Sequence, residues 1–366
     1  MVPTGAHGRP GGASVPGSAA RTPAADTDVV CLGESMVTFL PSRPGRLADV
    51  PSFSRTIGGA ESNVACALAS AGHTVTWVSR VGADGFGDHL VEAVGAYGVD
   101  TSAVRRDPDR PTGVYFRTAT DRATDIHEVA YYRAGSAASA MSPDNVPRDV
   151  LSGGRVLHLS GITAALSADC LALLHDLTAP RPGRPLLSFD VNHRPGLWRG
   201  REPGPEVLLE LARRCDLVFV GEDEAEQVWG VRGTRAVRAA LPEPDVLVVK
   251  RGAEGATVLS RTGGGRPDTV TDVPALRVDV VAPVGAGDAF AAGFLSATLR
   301  GLPVRERARH GHLMAAAVLT VPGDLTAPPA RPHADRLAAL DDTAWGTLRL
   351  GPGWTDEGAN EEAEAT

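Results

Sequence analysis

The sequence predicts an α/β protein whose largely parallel sheet is covered by helices on both faces. Short β-branched apolar runs alternate along the chain with amphipathic stretches, which is the pattern of strand–helix–strand units. The 366 residues are 43% hydrophobic but only 5% aromatic, so they can build a large core that is mainly aliphatic. This length suits two domains, or one large α/β domain with an insertion.

The predicted strands are short and rich in valine and leucine: Val29–Leu32, Thr74–Val78, Val156–Ser160, Leu186–Asp190, Leu217–Val220, Val246–Lys250 and Ala256–Leu259. The predicted helices lie between them or after them: Ser62–Ala71, Gly87–Ala96, Ala168–Thr178, Glu206–Arg214, Glu222–Trp229, Ala286–Arg300 and Val304–Val318. Parallel strands need crossover connections, which are usually helical, so this alternation favours one sheet between two helical layers.

Two segments depart from this rhythm and predict a small, separate β structure. Phe39–Ile57 contains several prolines and lacks a helical period. Gly113–Arg133 alternates as a hairpin does, with a polar turn near Asp121–Asp125. We expect both segments, from about 39–57 and 111–134, to be antiparallel strands that form a lid over a cleft.

Both ends of the chain are expected to lie outside the folded body, which we place at residues 27–345. Residues 1–26 are mostly glycine, proline, alanine and serine, and too few apolar groups are present to offset the entropy of ordering them. They also lack the apolar stretch of a signal peptide, which predicts a cytoplasmic protein. Residues 346–366 end in GANEEAEAT and are predicted to be an acidic tail.

Composition excludes several functions. The chain has 36 Lys+Arg against 44 Asp+Glu, a net charge of −8, which argues against nucleic-acid binding. No apolar run approaches the roughly 20 residues of a membrane-spanning helix, so no membrane partner is expected. The cysteines lack metal-ligand spacing and are predicted to be buried free thiols: Cys31, Cys66, Cys170 and Cys215.

The segment Val278–Ala292 (VDVVAPVGAGDAFAA) carries the strongest local signal. An extended stretch runs into three small residues, 285–287, and a helix is predicted to begin near Asp288. Small residues let successive main-chain N–H groups converge, and the helix dipole adds positive potential, so the turn suits a phosphoryl group. Asp288 could accept a proton from an attacking hydroxyl, or it could simply cap the helix.

A second glycine-led segment, Gly58–Gly72 (GGAESNVACALASAG), predicts a helix that packs closely on the sheet. Gly58 and Gly59 precede the helix, and Asn63 lies in its first turn, where its amide could reach a ligand. Taken alone, this pattern fits a purely structural glycine turn before a packing helix as well as it fits a ligand site.

Together these segments resemble the signatures of the carbohydrate kinases related to ribokinase, the PfkB family. The signatures match Gly58–Gly98 and Val280–Gly301, in the expected order. The resemblance implies a ribokinase-like three-layer α/β sandwich with a mainly parallel sheet and a small antiparallel β lid. It also implies a kinase that uses ATP and Mg²⁺ on a small-molecule sugar or sugar acid. A dinucleotide-binding Rossmann enzyme is the competing α/β interpretation, but VVCLGES after the first strand lacks GxGxxG.

The resemblance implies roles for individual residues. Asp288 is expected to be the general base, with the main-chain amides of Gly285, Ala286 and Gly287 as the anion hole. The residues expected at the sugar are Gly33, Gly58, Gly59 and Asn63. KRGAEG follows a strand and matches the glycine turn beside the nucleotide, which gives three cofactor-binding candidates: Lys250, Gly252 and Gly255. Lys250 is also the only lysine of the chain.

Two further motifs narrow the resemblance. The first resembles a motif of 2-keto-3-deoxygluconate kinases and some fructokinases, and the second resembles one of 2-keto-3-deoxygluconate kinases. In FDVNHRPGLW, Asn192 is expected near the nucleotide and Arg194 between the substrate and the phosphates. In the lid, Tyr115 and Arg117 match a pair that binds the substrate carboxylate, for which the planar arginine fork is well suited. The expected substrate is therefore 2-keto-3-deoxygluconate, phosphorylated at a primary hydroxyl. Each arginine alone could equally form a surface ion pair.

The chain departs from the family pattern at two places. Ala282-Pro283 replace an Asp-Thr pair whose aspartate helps to bind an activating monovalent cation in relatives, so potassium activation is not implied here. Glu224 is retained from the NxxE motif although Gly221 replaces its asparagine, so Glu224 is expected to act on Mg²⁺ only indirectly. The ion would arrive mainly with ATP and keep much of its water.

Two other functions remain open from the sequence. One is a fructokinase or another kinase of a neutral sugar, and the other is a non-catalytic sugar-binding or regulatory protein on the same fold. Lid sheets can pair between subunits, which makes a homodimer through the lid a further expectation.

Overall fold

The computed structural model describes residues 27–118, 128–261 and 267–356. Its strands, in chain order, are β1 (Thr27–Leu32), β2 (Met36–Pro41), β3 (Phe53–Gly58), β4 (Val75–Val78), β5 (Arg80–Gly82), β6 (Arg105–Asp107), β7 (Val114–Arg117), β8 (Val129–Tyr132), β9 (Gly154–Ser160), β10 (Leu186–Asp190), β11 (Leu217–Gly221), β12 (Val246–Lys250), β13 (Ala256–Ser260), β14 (Thr269–Val273), β15 (Arg277–Val278) and β16 (Arg349–Leu350).

The helices are α1 (Ala60–Ser70), α2 (Gly85–Gly95), α3 (Arg148–Ser152), α4 (Gly161–Ala164), α5 (Ala168–Leu177), α6 (Pro195–Trp198), α7 (Val207–Arg213), α8 (Glu222–Trp229), α9 (Thr234–Ala240), α10 (Ala286–Leu299), α11 (Val304–Leu319), α12 (Arg331–Ala338) and α13 (Asp342–Thr347). All seven predicted strands and all seven predicted helices are present, with ends that differ by at most two residues.

The central sheet has eight strands in the order β14-β13-β12-β11-β10-β9-β1-β4. The six strands from β12 to β4 are parallel, whereas β13 and β14 are added as antiparallel strands at one edge. The predicted α/β class with a mainly parallel sheet is confirmed. Because the carboxyl ends of parallel strands lie along one edge, that edge is the place where a ligand site is expected.

Apolar side chains cover both faces of this sheet. Along β1, Val29 and Cys31 belong to the core that packs under α1, α10 and α11, whereas Val30 and Leu32 belong to the core that packs under α5 and α7. This alternation follows from the two-residue period of a strand. Helical layers on both faces complete the predicted three-layer sandwich.

The lid is a separate four-stranded sheet in the order β3-β2-β7-β8. The β2–β3 and β7–β8 pairs are antiparallel, as predicted, but β2 and β7 pair in parallel. The reason is that α1 and α2 lie between β2 and β7, and a long crossover can bring two strands together in the same direction. The first lid strand starts at Met36, ahead of the expected Phe39. The expected turn at 121–125 lies outside the described residues.

The folded body extends past its expected end at residue 345. Helix α13 continues to Thr347, and β16 pairs in parallel with β15. Leu350 and Trp354 are both buried in the main core, so the start of the expected acidic tail was placed too early. The remainder of that tail and residues 1–26 lie outside the described residues, and their disorder stays a prediction.

All four cysteines are buried and free, as the sequence predicted. Burial raises the pKa of each thiol, to about 12 for Cys66 and to about 11 for Cys170. These cysteines therefore act as small apolar residues of the core. Within the described ranges, none of the helices is both long enough and apolar enough to cross a membrane.

Candidate active site

The two glycine-led segments meet at the carboxyl edge of the sheet. Asp288 lies in the first turn of α10, and Asn63 lies in the first turn of α1. The Asn63 Nδ2 atom donates a hydrogen bond of 2.8 Å to Asp288 Oδ2, across 225 residues of sequence. The fold therefore places one carboxylate between the N-termini of two helices.

The turn before Asp288, where an anion hole was expected, is tight and leads directly into α10. Gly285 has φ +81°, and a Cβ there would lie 2.5 Å from the main-chain oxygen of Asp324, so the position requires glycine. Helix α10 begins at Ala286, and the first N–H groups of a helix have no partner within it. The amides of this turn can therefore donate to a ligand, together with the positive end of the helix dipole.

Asp288 is half-buried, and its pKa is raised to about 7. Burial is the largest cause of the raised pKa, and the negative charge of Asp190 adds to it. The hydrogen bond from Asn63 and the positive charges of Arg194 and Lys250 act in the opposite direction. A carboxylate with a pKa near neutrality can accept a proton and release it again at physiological pH.

Lys250 and Asp190 form an ion pair beside this turn. Lys250 ends β12 and Asp190 ends β10, and the Lys250 Nζ atom lies 2.8 and 3.0 Å from the two Asp190 carboxylate oxygens. Although burial lowers the pKa of Lys250, the charges of Asp190 and Glu224 raise it above its ordinary value, so the amine stays protonated. Asp190 is thus a partner of Lys250 that the sequence analysis did not single out.

A cavity of about 1010 Å³ opens next to Lys250. This volume is sufficient for a nucleotide. The expected nucleotide residues Lys250, Gly252 and Gly255 line the cavity together with Gly287 of the anion-hole turn. Gly252 has φ +55° and Gly255 has φ +115°, conformations that favour glycine. Asn192, which also adopts a positive φ (41°), is buried and is not among the described residues that line this cavity.

The expected sugar residues of the lid converge on Asp324, which lies in the loop after α11. Tyr115 Oη donates to Asp324 Oδ2 at 3.1 Å, and Arg117 Nη2 donates to Asp324 Oδ1 at 2.6 Å. Gly58 closes this cluster, because a Cβ on it would overlap the Tyr115 hydroxyl. Burial raises the pKa of Asp324, and it also raises the pKa of Tyr115. The described partner of Arg117 is thus an internal carboxylate.

Gly33 and Gly59 both pack against glutamates. A Cβ on Gly33 would overlap the Glu61 carboxyl group, which is fully buried and accepts hydrogen bonds from Ser160 and Thr163 at 2.8 and 2.7 Å. A Cβ on Gly59 would overlap the main-chain oxygen of Glu34. Burial raises the pKa of Glu61 despite the two hydroxyl donors. Close packing therefore explains why glycine stands at both positions, which lie next to α1.

Among the described residues, no hydrogen bond or ion pair joins Arg194 or Glu224 to the Tyr115–Arg117–Asp324 cluster. The Arg194 side chain is 49% exposed, and its Nη1 atom is 4.0 Å from Glu224 Oε1. Glu224 accepts hydrogen bonds from the main-chain N–H groups of Gly221 and His193 at 2.7 and 3.1 Å. Both carboxylate oxygens of Glu224 therefore accept hydrogen bonds from the main chain.

The described residues contain no cluster of three or more acidic, histidine or cysteine side chains that could hold a metal ion. The loop 280–285, with the sequence VVAPVG, offers no carboxylate to a monovalent cation. The main-chain N–H groups of Val281 and Ala282 donate instead to the Leu319 oxygen, at 2.7 and 3.3 Å.

Sequence reasoning missed two carboxylates of the site. Asp190 stands in the quoted motif FDVN, at the end of a predicted strand, so its position at the site edge could have been read from that strand. Asp324 lies in a loop with no motif, and only the fold shows that this loop returns to the lid.

Comparison with known proteins places the chain among sugar kinases. The model of a family described as pfkB family carbohydrate kinase matches residues 26–331. A 2-dehydro-3-deoxygluconokinase of Bacillus subtilis is 35% identical over 309 residues, 83% of this chain and 93% of that protein. A probable chloroplastic fructokinase of Arabidopsis thaliana is 30% identical, over 79% of this chain and 75% of that protein. An uncharacterised sugar kinase of Pyrococcus horikoshii, solved in complex with ATP, superimposes with a TM-score of 0.72 at 25% identity, over 87% of this chain and 99% of that chain.

Proposed function

Because the chain belongs to the pfkB family of carbohydrate kinases, we propose that it phosphorylates a primary hydroxyl of 2-keto-3-deoxygluconate, with MgATP as the phosphoryl donor. The observation that carries the proposed reaction is the hydrogen bond of 2.8 Å that holds Asp288 against Asn63, at the N-terminus of α10 and beside a large cavity. A base, an anion-binding turn and space for a donor are all needed for phosphoryl transfer, and here they adjoin one another.

Asp288 removes the proton of the attacking hydroxyl as the bond to phosphorus forms. The main-chain amides of Gly285, Ala286 and Gly287 donate to the phosphoryl oxygens, whose charge grows in the transition state. Asn63 keeps the Asp288 carboxylate oriented toward the hydroxyl. These residues supply positioning and electrostatics, and no covalent intermediate with the protein is involved.

The cavity lined by Lys250, Gly252 and Gly255 holds ATP. A homologous sugar kinase binds ATP, which supports this assignment. Mg²⁺ bound to the phosphates neutralises part of their charge. Glu224 acts on this ion only indirectly, because its two carboxylate oxygens already hold the main chain of residues 221 and 193.

The substrate class rests on the lid. Tyr115 and Arg117 are buried on the side of the lid that contacts the loop of Asp324, next to Gly58. The Nε atom of Arg117 is buried and has no partner among the described residues, so it can donate to a substrate carboxylate. Arg194 is the second arginine expected at the acid sugar. The similarity to 2-dehydro-3-deoxygluconokinases supports the same substrate.

A coupled assay of ADP formation tests this proposal. The protein is supplied with MgATP and, in separate reactions, with 2-keto-3-deoxygluconate, fructose and ribose at matched concentrations. We expect kcat/KM to be highest for the acid sugar, by at least about tenfold. Equal or higher values for fructose would contradict the proposed substrate while leaving the kinase assignment intact.

A neutral-sugar kinase is the second candidate. It is favoured by the ion pair between Arg117 and Asp324, because an arginine that is already neutralised attracts a second carboxylate less strongly. The fructokinase of Arabidopsis thaliana that is 30% identical is a relative of this kind. In that case fructose would be the better substrate in the same assay.

A further inference from the structure

We infer that Lys250 is a further catalytic residue: its ammonium group contacts the phosphoryl group in transfer, and Asp190 holds the ammonium group in place. This inference rests on the proposed kinase function and deepens it. It assigns to the lysine a role at the reacting phosphorus rather than only a place beside the nucleotide.

The Lys250–Asp190 pair is buried on the Asp190 side and open to the cavity on the Lys250 side. The Asp190 side chain is 3% exposed, whereas the Lys250 side chain is 22% exposed and lines the 1010 Å³ cavity. An ammonium group has three N–H donors, and the described structure gives it only the two oxygens of Asp190 as acceptors. At least one N–H of Lys250 is therefore available to a ligand in the cavity.

The position of the ammonium group identifies that ligand as an anion at the anion-hole turn. The Lys250 Nζ atom lies 3.7 Å from the place that a Cβ on Gly287 would occupy. Gly287 is in the first turn of α10, where the helix dipole is positive, so an anion bound at this turn would be attracted by both the dipole and the ammonium group. Asp190 offsets one positive charge, and the arriving phosphoryl group is the anion that both the turn and Lys250 would contact.

The choice of residue also favours phosphate contact over a purely structural ion pair. Lys250 is the only lysine among 36 basic residues, and all the others are arginine. Arginine binds a carboxylate with two parallel hydrogen bonds, so it would serve a structural pair with Asp190 at least as well. A compact ammonium group on a flexible stem suits a point contact with a moving phosphoryl oxygen.

Lys250 also influences the proposed base. The charged groups that face it are Asp190 from β10, Glu224 from α8 and Asp288 from α10. Its positive charge lowers the pKa of Asp288, in opposition to burial and to Asp190. Removal of Lys250 should therefore reduce turnover and also move the pH midpoint of kcat/KM to a higher value.

A binding experiment can use the fact that the ε-amine is unique. Reductive methylation with ¹³C-formaldehyde keeps the charge of lysine, and the full chain then gives a single ε-dimethyl signal, distinct from that of the α-amine. The protein is titrated with MgAMP, MgADP and the magnesium complex of a non-hydrolysable β,γ-imido ATP. We expect the ε signal to shift several times more with the imido analogue than with AMP. Equal shifts at saturation, or no shift, would overturn the proposal.

Turnover of variants provides a second test. Lys250→Met should lower kcat by about 10²-fold, the usual cost of losing one donor to a transition-state oxyanion, while the Kd of MgADP changes by less than about threefold. The double variant Asp190→Asn/Lys250→Met removes both charges, and its turnover is measured instead if the single variant does not fold. A folded variant with kcat within about threefold of the wild type would refute the catalytic role.

The matched control is Arg184→Met. Arg184 is 24% exposed and pairs with Asp216 at the opposite edge of the same sheet, so its loss should lower stability and leave kcat unchanged. If the wild type prefers a neutral sugar, the proposed substrate is wrong, and the variants are then measured with the accepted sugar. The two proposals can therefore fail separately.

Discussion

Asp288 combines two properties that are difficult to obtain together in one carboxylate. It lies close to amides that attract an anion, yet burial and the charge of Asp190 raise its pKa to about 7. A carboxylate with an ordinary pKa would be a weak base near neutral pH, and a fully isolated one would remain protonated. The bond from Asn63 and the charges of Arg194 and Lys250 keep the pKa from rising further.

Asp288→Asn tests the proposed base directly. The amide can still accept a hydrogen bond from Asn63 but cannot take up the proton, so kcat should fall by at least about 10²-fold. The Kd of MgATP, measured by calorimetry, should change little, because the lining of the cavity is intact. Asp223→Asn, an exposed change on α8, is the matched control. Near-normal turnover in Asp288→Asn would remove this residue from the role of base.

The pH dependence of kcat/KM should report the same carboxylate. Asp288 accepts a proton only when it is ionised, so kcat/KM should rise with pH through a midpoint of about 7 and reach a plateau above pH 8. Asn63→Ala removes a hydrogen bond that lowers the pKa of Asp288 and should move the midpoint upward. A profile that is flat between pH 5.5 and 8 in the wild type would contradict this assignment.

At the scale of elements, the sequence was sufficient to predict those turns and strands whose pattern lies within a short stretch of chain. The glycine turns before α1 and α10 are short motifs, and the strands that carry Asp190 and Lys250 are continuous apolar runs, so these parts were predicted. The pairing of Lys250 with Asp190 and of Arg117 with Asp324 was not predicted, because each joins elements that meet only through sheet order and lid placement. Parallel pairing of β2 with β7 was missed for the same reason.

Arg117→Ala tests how the lid recognises its ligand. The change should raise the KM for the acid sugar by at least about tenfold and leave the KM for a neutral sugar within about threefold, because only the acid sugar loses a charged partner. The neutral sugar is the internal control, since the loss also leaves the buried Asp324 unpaired and destabilises the fold for both substrates. Equal increases in the two KM values would count against carboxylate recognition.

At the scale of the whole molecule, residues beyond the region 26–331 that matches the family still belong to the folded body. Trp345 is fully buried, Trp354 is 8% exposed, and β16 pairs with β15 beside the cavity that Lys250 lines, which Thr347 and Arg349 also line. The sequence analysis gave weight to the acidic residues of 346–366 and overlooked Trp354 among them. Large apolar side chains near a chain end are a better guide to whether it is packed than its net charge.

The outer face of the lid concentrates aromatic side chains in a chain that has few. Phe116 stacks on Phe39 with ring centroids 4.6 Å apart, and it contacts Phe53 and Tyr132 edge to face. The Tyr132 side chain is 65% exposed and Phe86, which contacts Phe39, is 39% exposed. Exposed apolar patches of this kind mark interaction sites, so we retain the prediction that two copies associate through their lids.

Light scattering during size-exclusion chromatography tests this association. The wild type should have about twice the chain mass of 37.9 kDa, and Tyr132→Glu should reduce it to that of one chain, because the introduced charge would be buried against the second lid. Val270→Glu is the matched control: Val270 is 56% exposed on β14, at the edge of the central sheet, and its change should leave the mass unaltered. A monomeric wild type, or equal dissociation by both variants, would contradict an interface at the lid, whereas dissociation confined to Tyr132→Glu would support it.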